Sequence, residues 1–497
     1  MIENFLAGSS ALFGDPITIL IFVFGVVGGM LFGAIPGVSM LTLAAILLPF
    51  SAALEPAQGV MLFAVIYCTG TYGGAITAIL FNIPGAPENA PTAFDGYPMT
   101  KQGKAGKAVG AAVLCSAIGG TASALLMMAA TEPLAKWAIR NIGPPEIFAL
   151  VFFGLAVASS VGGNTIWKGW MSVLLGLLVA TVGQDPVGGI NRYNFGMTDL
   201  AAGIAFVPAI LGFFAVSEIF IQAEKRAFGK YNAPKLDVNF PTFLELWRYK
   251  IAVVRSILVG FFCGILPGIG ATLAAFMGYG EAVRWSKNKE AFGKGNLEGV
   301  ISSETANNAA TGAAMIPLLA LGLPGGALTA IMVAVFQFHD MEPGPLVFYN
   351  SPELIWVVFA AMFYANVSIL FIGLIETKTI LQLLRIPFHF LAPMILMLAS
   401  IGSFIGRGLV LDVMVMFLAG MIGFLLRRSG YSIPGIVLGI ILGKIGEQNF
   451  AQGMQMVHYD LLTYLSRPIC AVLILAGAIT LGTGIYKAIV SNRAGAS

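Results

Sequence analysis

The chain has 497 residues, of which 58% are hydrophobic and only 10% are charged, and its formal net charge is +3. A soluble fold would carry roughly 25% charged residues, so lipid must solvate most of the surface of this protein. Because the net charge is small and the basic residues are scattered, we expect no nucleic acid as a partner.

Apolar runs long enough to cross a hydrocarbon core, which takes about 20 residues, recur along the chain. The clearest are residues 16–35, 108–130, 145–161, 200–220, 354–375, 409–426 and 469–485. With shorter candidates they predict about 10–13 membrane segments, all of them helical because backbone groups in lipid must bond within the segment. The sequence therefore predicts an all-α polytopic membrane protein. No basic segment precedes the first run, so we expect an uncleaved insertion signal.

A repeated pair of Pro-Gly breaks divides these runs into two halves. GAIPG at residues 33–37 is echoed by GILPG at 264–268, and NIPG at 82–85 is echoed by GLPG at 322–325. Two matching breaks in the same order predict an internal repeat. The predicted domains are membrane repeat one at 1–223, a cytoplasmic amphipathic linker at 224–250 and membrane repeat two at 251–497.

Charge placement predicts how the two halves are oriented. Residues 224–255 hold seven Lys or Arg and three acids, which predicts a cytoplasmic linker. Residues 284–294 are also basic, whereas their counterpart at 51–59 holds one acid and no base. Residues 101–107 hold three lysines, whereas their counterpart at 339–353 holds acids only. The signs swap at both places, which predicts inverted-topology repeats, the common plan of secondary transporters.

The same charge rule predicts that, in each half, the stretch around the first break enters and leaves the membrane on the same side. The arm at residues 38–50 has 13 residues. A helix of that length spans about 20 Å, which is short of a core of about 30 Å. We therefore predict a re-entrant hairpin, and the alternative is two tilted crossings joined by a tight loop.

Proline inside an apolar helix removes a hydrogen bond, and the adjacent glycine lets the chain unwind. In lipid the released backbone groups must face a cavity or protein, and a helix that starts there points its positive end at carboxylate oxygens. Backbone carbonyls with Asn, Thr and Ser oxygens would also bind Na⁺. The candidate helix-break and ion-site residues are Pro36, Gly37, Ser39, Thr71, Pro267, Gly268, Gly270, Glu304 and Thr311.

Two acidic residues near the breaks receive specific interpretations. Ionisable groups inside a membrane are costly and usually functional, which makes Glu304 a candidate site residue. The alternative is that Ser302, Ser303 and Glu304 cap a helix near the interface. Asp95, which precedes Gly96, is interpreted as a turn residue near the surface.

Enzymatic chemistry has little support in the sequence. The three histidines are far apart, and no phosphate-binding loop of the G-x-x-x-x-G-K-[ST] type is present. An intramembrane enzyme would need a nucleophile–base pair or a metal triad, and neither is visible. The cysteines fall within apolar runs without metal-ligand spacing, at Cys68, Cys115, Cys263 and Cys470. We therefore predict no enzyme, no cofactor and no metal centre, and an ion gradient as the energy source.

Motifs at both second breaks resemble one known family, and the match covers nearly the whole chain. In the first half, NIPGAP at 82–87, TAFDGYPM at 92–99 and KQGKAGK at 101–107 resemble the signature of the large membrane subunit of the tripartite tricarboxylate transporters. Similar family segments in the second half are GILPGIGA at 264–271, ETANNA at 304–309 and LGLPGGA at 321–327.

The resemblance implies a multi-pass permease of the bacterial inner membrane. It implies a small membrane subunit and a periplasmic solute-binding protein as partners, with Na⁺ or H⁺ as the coupling ion. The implied substrates are citrate-like tricarboxylates, dicarboxylates and aromatic acids. The residues implied to line the substrate site are Asn82, Pro84, Gly85, Ala86, Pro87, Thr92, Asn307, Asn308, Pro324, Gly325 and Gly326.

The leading hypothesis is therefore a cation-coupled carboxylate carrier within a three-part system, which moves its substrate by an elevator or rocking motion. A stand-alone symporter or exchanger that needs no binding protein is the main alternative. A channel is a further alternative, but inverted breaks favour alternating access.

Overall fold

The structure is a computed structural model, which describes residues 1–35, 39–161, 165–224, 240–266, 270–383 and 388–494. Helices make up most of this part of the chain. In the first half they are α1 (Ile2–Gly14), α2 (Pro16–Ala34), α3 (Met40–Leu47), α4 (Pro56–Phe81), α5 (Ala90–Lys101), α6 (Ala105–Asn141), α7 (Pro144–Val161), α8 (Ile166–Ala180), α9 (Phe206–Ile210) and α10 (Ser217–Glu224). A π-helical segment, Leu211–Val216, joins the last two.

In the second half the helices continue in the same style. They are α11 (Phe243–Trp247), α12 (Lys250–Ile265), α13 (Gly270–Trp285), α14 (Leu297–Leu321), α15 (Ala327–Phe338), α16 (Val347–Asn350), α17 (Pro352–Leu383), α18 (Phe388–Ile405), α19 (Val410–Arg428), α20 (Ile433–Met456), α21 (Leu461–Ser466) and α22 (Pro468–Ala494). Short 3₁₀ segments lie at Leu48–Ala53, Pro87–Asn89, Thr198–Leu200 and Lys289–Ala291. Strands β1 (Gly183–Gln184) and β2 (Asn191–Arg192) form an antiparallel hairpin.

Seven helical stretches in the described part of the chain are long and apolar enough to cross a membrane, one of them the continuous run of α9, the π-helical segment and α10, and five shorter apolar helices accompany them. The helical, polytopic membrane architecture predicted from composition is thereby confirmed. One predicted span is wrong at its start, because the run at 200–220 becomes helical only at Phe206. Gly203 before it has φ +80°, a left-handed conformation that ends the preceding turn.

The helix breaks have matching backbone conformations in the two halves. α2 ends at Ile35 with φ −75° and ψ 118°, and α12 ends at Leu266 with φ −73° and ψ 119°. α4 ends at Asn82 and α14 at Gly322, both in the left-handed region, with φ 57° and 74°. Such a residue closes a helix, and Asn and Gly adopt it most readily. The helices therefore stop at equivalent points of both halves.

The Pro-Gly pairs of the two first breaks lie outside the described residues. These are Pro36 and Gly37 in the first half, and Pro267 and Gly268 in the second. The hairpin or crossing form of these segments, and the domain bounds set from the sequence, stay predictions.

Helices of the first half pack against helices of the second half. α6 packs along α14, and α17 packs along α4. α8 packs along α20, and α19 packs along α9, the π-helical segment and α10. Each pair joins one helix from the first half with one from the second, so neither half has a separate core.

The stretches with basic character contact one another. Lys107 Nζ lies 2.7 Å from Glu245 Oε1, and this hydrogen bond holds the pKa of Glu245 below its usual value. Gln102 donates to the carbonyl of Lys294 at 2.7 Å. The loops after α5, before α12 and before α14 therefore share one end of the molecule.

The stretches at residues 51–59 and 339–353, which hold acids and no Lys or Arg, also contact each other. His339, at the end of α15, packs so closely on Gly59 of α4 that a Cβ there would lie 2.9 Å from Nε2. Burial of His339 lowers the pKa of its imidazole below the usual value, so the ring is neutral at pH 7. The loops before α4 and after α15 thus lie together as well.

Candidate functional site

In the first half, the second break lies directly against the end of α2. Gly85 donates to the Gly74 carbonyl at 3.3 Å. A Cβ on Gly85 would lie 2.1 Å from the Gly33 carbonyl oxygen and 2.6 Å from the Gly74 Cα. Only glycine allows this approach of three backbone segments. Asn82 and Pro84, which precede Gly85 in the break, are exposed.

In the second half, the equivalent break lies beside the start of α13. Gly270, with φ +54°, begins that helix, and a Cβ there would lie 3.6 Å from the Gly325 carbonyl and 3.7 Å from Gly326 Cα. Pro324, Gly325 and Gly326 are all buried. The amide of Gly326 donates to Thr329 Oγ1 at 2.8 Å. The two breaks of each half are therefore neighbours.

The break of the first half also contacts the second half. Glu88 is buried within the 3₁₀ segment, and Thr272 of α13 donates to its carboxyl group at 3.5 Å. The next residue, Asn89, donates to the Thr71 carbonyl at 2.9 Å. The Oδ1 atom of Asn89 is buried and has no partner in the part of the chain that the structure describes.

One face of α14 carries polar side chains that lie against α4 and α5. Ser303, Asn307 and Thr311 follow at four-residue intervals and so lie on one stripe of the helix. Ser303 Oγ lies 3.0 Å from Thr92 Oγ1 of α5, and Thr311 Oγ1 lies 3.9 Å from Cys68 Sγ of α4. Asn307 between them therefore faces the gap between α4 and α5. It is fully buried, and neither amide atom has a partner among the described residues.

Glu304 lies beside this stripe, fully buried and well inside α14. Its Oε1 accepts from Thr92 Oγ1, and its Oε2 accepts from Ser116 Oγ of α6 at 3.0 Å. Asn308 Nδ2 lies 3.4 Å from Oε2. Asn296 caps α14 instead, so the interpretation of Glu304 as a helix cap is wrong.

Asp95 is also placed differently from its interpretation as a surface turn residue. It lies within α5 and is fully buried. Its Oδ1 accepts from the backbone amides of Gly295 and Asn296 at 2.9 and 2.8 Å, and its Oδ2 accepts from the Tyr279 hydroxyl at 2.9 Å. The turn interpretation is wrong because backbone donors from the second half outweigh the local Gly signal.

The remaining predicted residues have local roles in the structure. Ser39 caps α3 by accepting from the Thr42 amide at 3.4 Å. Thr71 donates to the Tyr67 carbonyl at 2.8 Å. Thr311 donates to the Asn308 carbonyl at 2.8 Å. Ala86 is buried, and Pro87, exposed, starts the 3₁₀ segment.

Ser116 is a functional candidate that the sequence analysis missed, because a lone serine in an apolar run attracts no attention. A signal was present, since Ser116, Gly119, Gly120 and Ser123 form one small, polar face of α6. That face packs on α14, where Ser123 Oγ accepts from the Ala313 amide at 3.1 Å.

An apolar cavity of about 390 Å³ lies elsewhere, between the ends of α6, α7, α14 and α22. Its lining surface is apolar and comes from Leu134, Trp137, Ile142, Leu150, Leu321, Pro468, Ile469, Val472 and Leu473. A carboxylate needs hydrogen-bond donors around it, so this cavity is not the candidate substrate site.

Comparison with known proteins now decides the family. The model of the tripartite tricarboxylate transporter TctA family matches residues 19–438, which include all four breaks and the Glu304 cluster. The chain belongs to the TctA family. This membership makes it a component of a transport system with several subunits, as the family description states, and confirms the resemblance noted in the sequence.

Two relatives of this TctA-family protein come from Agrobacterium vitis. An uncharacterized 52.8 kDa protein in the TAR-I ttuC′ 3′ region is 35% identical over 485 residues, covering 96% of this chain and 95% of that protein. An uncharacterized protein in the TAR-II ttuC′ 3′ region is 33% identical over 234 residues, covering 47% of this chain and 97% of that protein. No solved structure matches the chain.

Proposed function

We propose that this TctA-family protein is the large membrane subunit of a secondary active importer of small organic carboxylates. The substrates are of the citrate-like tri- or dicarboxylate class, and the membrane is the bacterial inner membrane. A cation gradient drives the import, and a periplasmic solute-binding protein delivers the substrate. The family description, which specifies tripartite tricarboxylate transport, supports this proposal.

The observation that carries the proposal is the unsatisfied amide of Asn307. Buried polar groups in membrane proteins almost always have partners, because an unpaired one costs free energy in a medium without water. Among the described residues, neither amide atom of Asn307 has a partner, and the side chain faces the gap between α4 and α5 of the other half. A carboxylate bound there would accept from Asn307 Nδ2.

Inverted-topology repeats form part of the proposal. If the halves are inverted, the loop after α5 must share a side with the loop before α14, and the loop before α4 with the loop after α15. The Gln102–Lys294 hydrogen bond and the His339–Gly59 contact support this arrangement. An inverted pair of breaks suits alternating access by a rocking or elevator motion.

Charge sets a condition on the coupling. Moving one elementary charge against the membrane potential costs about 2.3 kcal/mol per 100 mV. A di- or trianion that enters a negative interior therefore needs enough accompanying H⁺ or Na⁺ to reverse its charge.

Uptake of labelled citrate and smaller acids into proteoliposomes tests the proposal. The vesicles would contain the small membrane subunit, and candidate binding proteins would be added or omitted. We expect Asn307→Ala to abolish uptake, and Asn82→Ala to do the same. Asn82→Gly keeps the left-handed backbone and isolates the loss of the amide.

Asn141→Ala, at the exposed end of α6, is the matched control and should transport normally. Normal rates in both Asn82 and Asn307 variants would overturn the site assignment. Uptake that needs no binding protein would favour the stand-alone symporter or exchanger.

A further inference from the structure

In the part of the chain that the structure describes, the Glu304 carboxyl group has only neutral partners. Within hydrogen-bond reach it meets the hydroxyls of Thr92 and Ser116 and the amide of Asn308. Among the described residues, no Lys, Arg or His forms an ion pair with it. An ionised carboxylate buried without a cation costs several kcal/mol even after relaxation. This group must therefore hold a proton or bind a cation.

The hydroxyls around Glu304 form a chain that accommodates both protonation states. Ser303 Oγ donates to the Gly299 carbonyl at 2.8 Å and lies 3.0 Å from Thr92 Oγ1. With a proton on Glu304 Oε1, that O–H donates to Thr92, and Thr92 donates to Ser303. Without the proton, the Thr92 hydroxyl rotates and donates to Glu304. Each hydroxyl hydrogen has an acceptor in both states, so one rotation suffices.

A second observation also points to a ligand at this position. The Oδ1 atom of Asn308 is fully buried and has no partner among the described residues, although its Nδ2 lies 3.4 Å from Glu304 Oε2. This oxygen is an unpaired acceptor on a side chain that contacts the carboxyl group. Rotation of the Asn308 amide would turn Oδ1 toward Oε2, where it would accept from a proton on that oxygen.

The spacing of the oxygens favours a proton over a metal ion. Ser116 Oγ is 3.0 Å from Oε2, and Thr92 Oγ1 is in direct hydrogen-bond contact with Oε1. A metal ion bound between these atoms would have to separate them. A proton fits between oxygens at the distances present.

We propose that Glu304 carries the coupling proton of this transporter. The inference rests on the proposed function and deepens it. The proton would add to a Glu304 carboxyl oxygen from the outer side and leave to the inner side, supplying one of the positive charges that import of a di- or trianion requires. Its partners come from α5 and α6 of the first half and α14 of the second. Protonation therefore changes hydrogen bonds between the two halves.

Other titratable groups on the elements packed around α14 have their own surroundings. Glu88 accepts from Thr272, Asp95 from backbone amides, and Tyr279 donates to Asp95. Thiols and a phenol also lie on these helices, namely Tyr67 and Cys68 on α4, Cys115 on α6 and Cys263 on α12. Glu88 is the other carboxyl group near Glu304, so it is included as a comparison variant.

The first experiment measures accumulation of labelled citrate in proteoliposomes of the complete system under an imposed pH gradient. One coupled proton supports about tenfold accumulation per pH unit. We expect Glu304→Gln to abolish the response to the pH gradient, so that any residual uptake is the same with and without it. Glu132→Gln, on the same helix as Ser116 but half-buried and paired with the exposed Lys136, should respond like the wild type.

A sodium gradient without a pH gradient is the decisive second arm. If Na⁺ alone drives uptake and Glu304→Gln removes that response, the proton assignment is overturned while the proposed function stands. If no carboxylate enters under either gradient, the proposed function itself fails. A pH response that persists in Glu304→Gln but disappears in Glu88→Gln would move the proton site to Glu88 and overturn the inference.

Infrared difference spectroscopy of the purified protein provides a readout that needs no substrate. We expect a carboxyl C=O band of a buried, protonated acid at neutral pH, which is absent in Glu304→Gln and retained in Glu132→Gln. Should Glu304→Gln not fold, Ser116→Ala should shift that band by removing one hydrogen bond. A band unaffected by either variant, or one abolished by Na⁺ at constant pH, would contradict the inference.

Discussion

At the scale of single residues, Asp95 shows how a buried carboxylate joins the two halves. It extends from α5 and accepts two backbone amides at the start of α14, together with the Tyr279 hydroxyl of α13. These amides are the free donors that precede a helix, and a carboxylate there is favoured by the helix dipole. Asp95 therefore fixes α5, which also carries Thr92, against the second half.

We expect Asp95→Asn to destabilise the protein by about 2 kcal/mol, because hydrogen bonds to a charged acceptor are replaced by weaker ones. Tyr279→Phe should cost about 1 kcal/mol, since it removes one of the three bonds. Thermal unfolding of the purified protein in detergent measures both effects.

Asp340→Asn is the control, because Asp340 is exposed and its left-handed backbone suits Asn equally well. Equal stability of the Asp95 and Asp340 variants would show that the Asp95 contacts contribute nothing.

Residue-scale prediction from the sequence was uneven for a physical reason. An acid in a segment predicted to lie within the membrane is conspicuous, so Glu304 could be singled out as a candidate from the sequence. The contact of Ser116 with Glu304 and the buried position of Asp95 could not be predicted. Their partners lie more than 180 positions away along the chain. Local patterns such as Asp-Gly describe what a segment prefers alone, and tertiary donors override that preference.

At the scale of elements, the breaks were the most predictable feature. Pro-Gly within an apolar run forbids a continuous helix, and helices do stop at Ile35, Asn82, Leu266 and Gly322. Their mutual placement was not predictable in detail, because it depends on glycine contacts between helices. Gly85 lies against Gly33 and Gly74, and only the folded backbone reveals that.

Gly85→Ala should therefore disturb the break of the first half. Its Cβ would overlap two backbone segments that have no flexible side chain to move. Overpacking of this kind costs about 1–3 kcal/mol and would shift the polar residues that follow the break. We expect a large loss of carboxylate uptake in proteoliposomes with normal membrane insertion.

Gly280→Ala, on α13, is the matched control because nothing lies within 4 Å of its added Cβ. Its uptake should equal that of the wild type. Full activity of Gly85→Ala would mean that the close contact at this break is not required.

At the scale of the whole molecule, the charge pattern predicted which loops share a side, and the loop contacts agree with that grouping. Helices from each half pack along helices of the other, so the sequence repeat does not correspond to two separable bodies. This packing between the halves could not be predicted, because an internal sequence repeat shows that two segments are similar and does not show how they pack together.

Side-specific thiol labelling of membrane vesicles tests the inverted arrangement. Lys104→Cys and Lys289→Cys, in exposed loops of the two halves, should react from the cytoplasmic side. Glu55→Cys and Glu353→Cys, also exposed, should react only from the opposite side. Cys263→Ser provides the background, since the other three native cysteines are buried. Reaction of Lys104→Cys and Glu55→Cys from one side would rule out this topology.

The most direct measurement of whether carboxylates bind at the helix breaks is protection of Ile83→Cys from a thiol reagent. Ile83 lies in the first-half break, is partly exposed and is not one of the proposed substrate-binding residues. We predict that citrate or a smaller di- or tricarboxylate slows modification of Ile83→Cys in the reconstituted system, while Glu353→Cys reacts at an unchanged rate. Equal modification of Ile83→Cys with and without every carboxylate that the system transports would contradict the proposed substrate site.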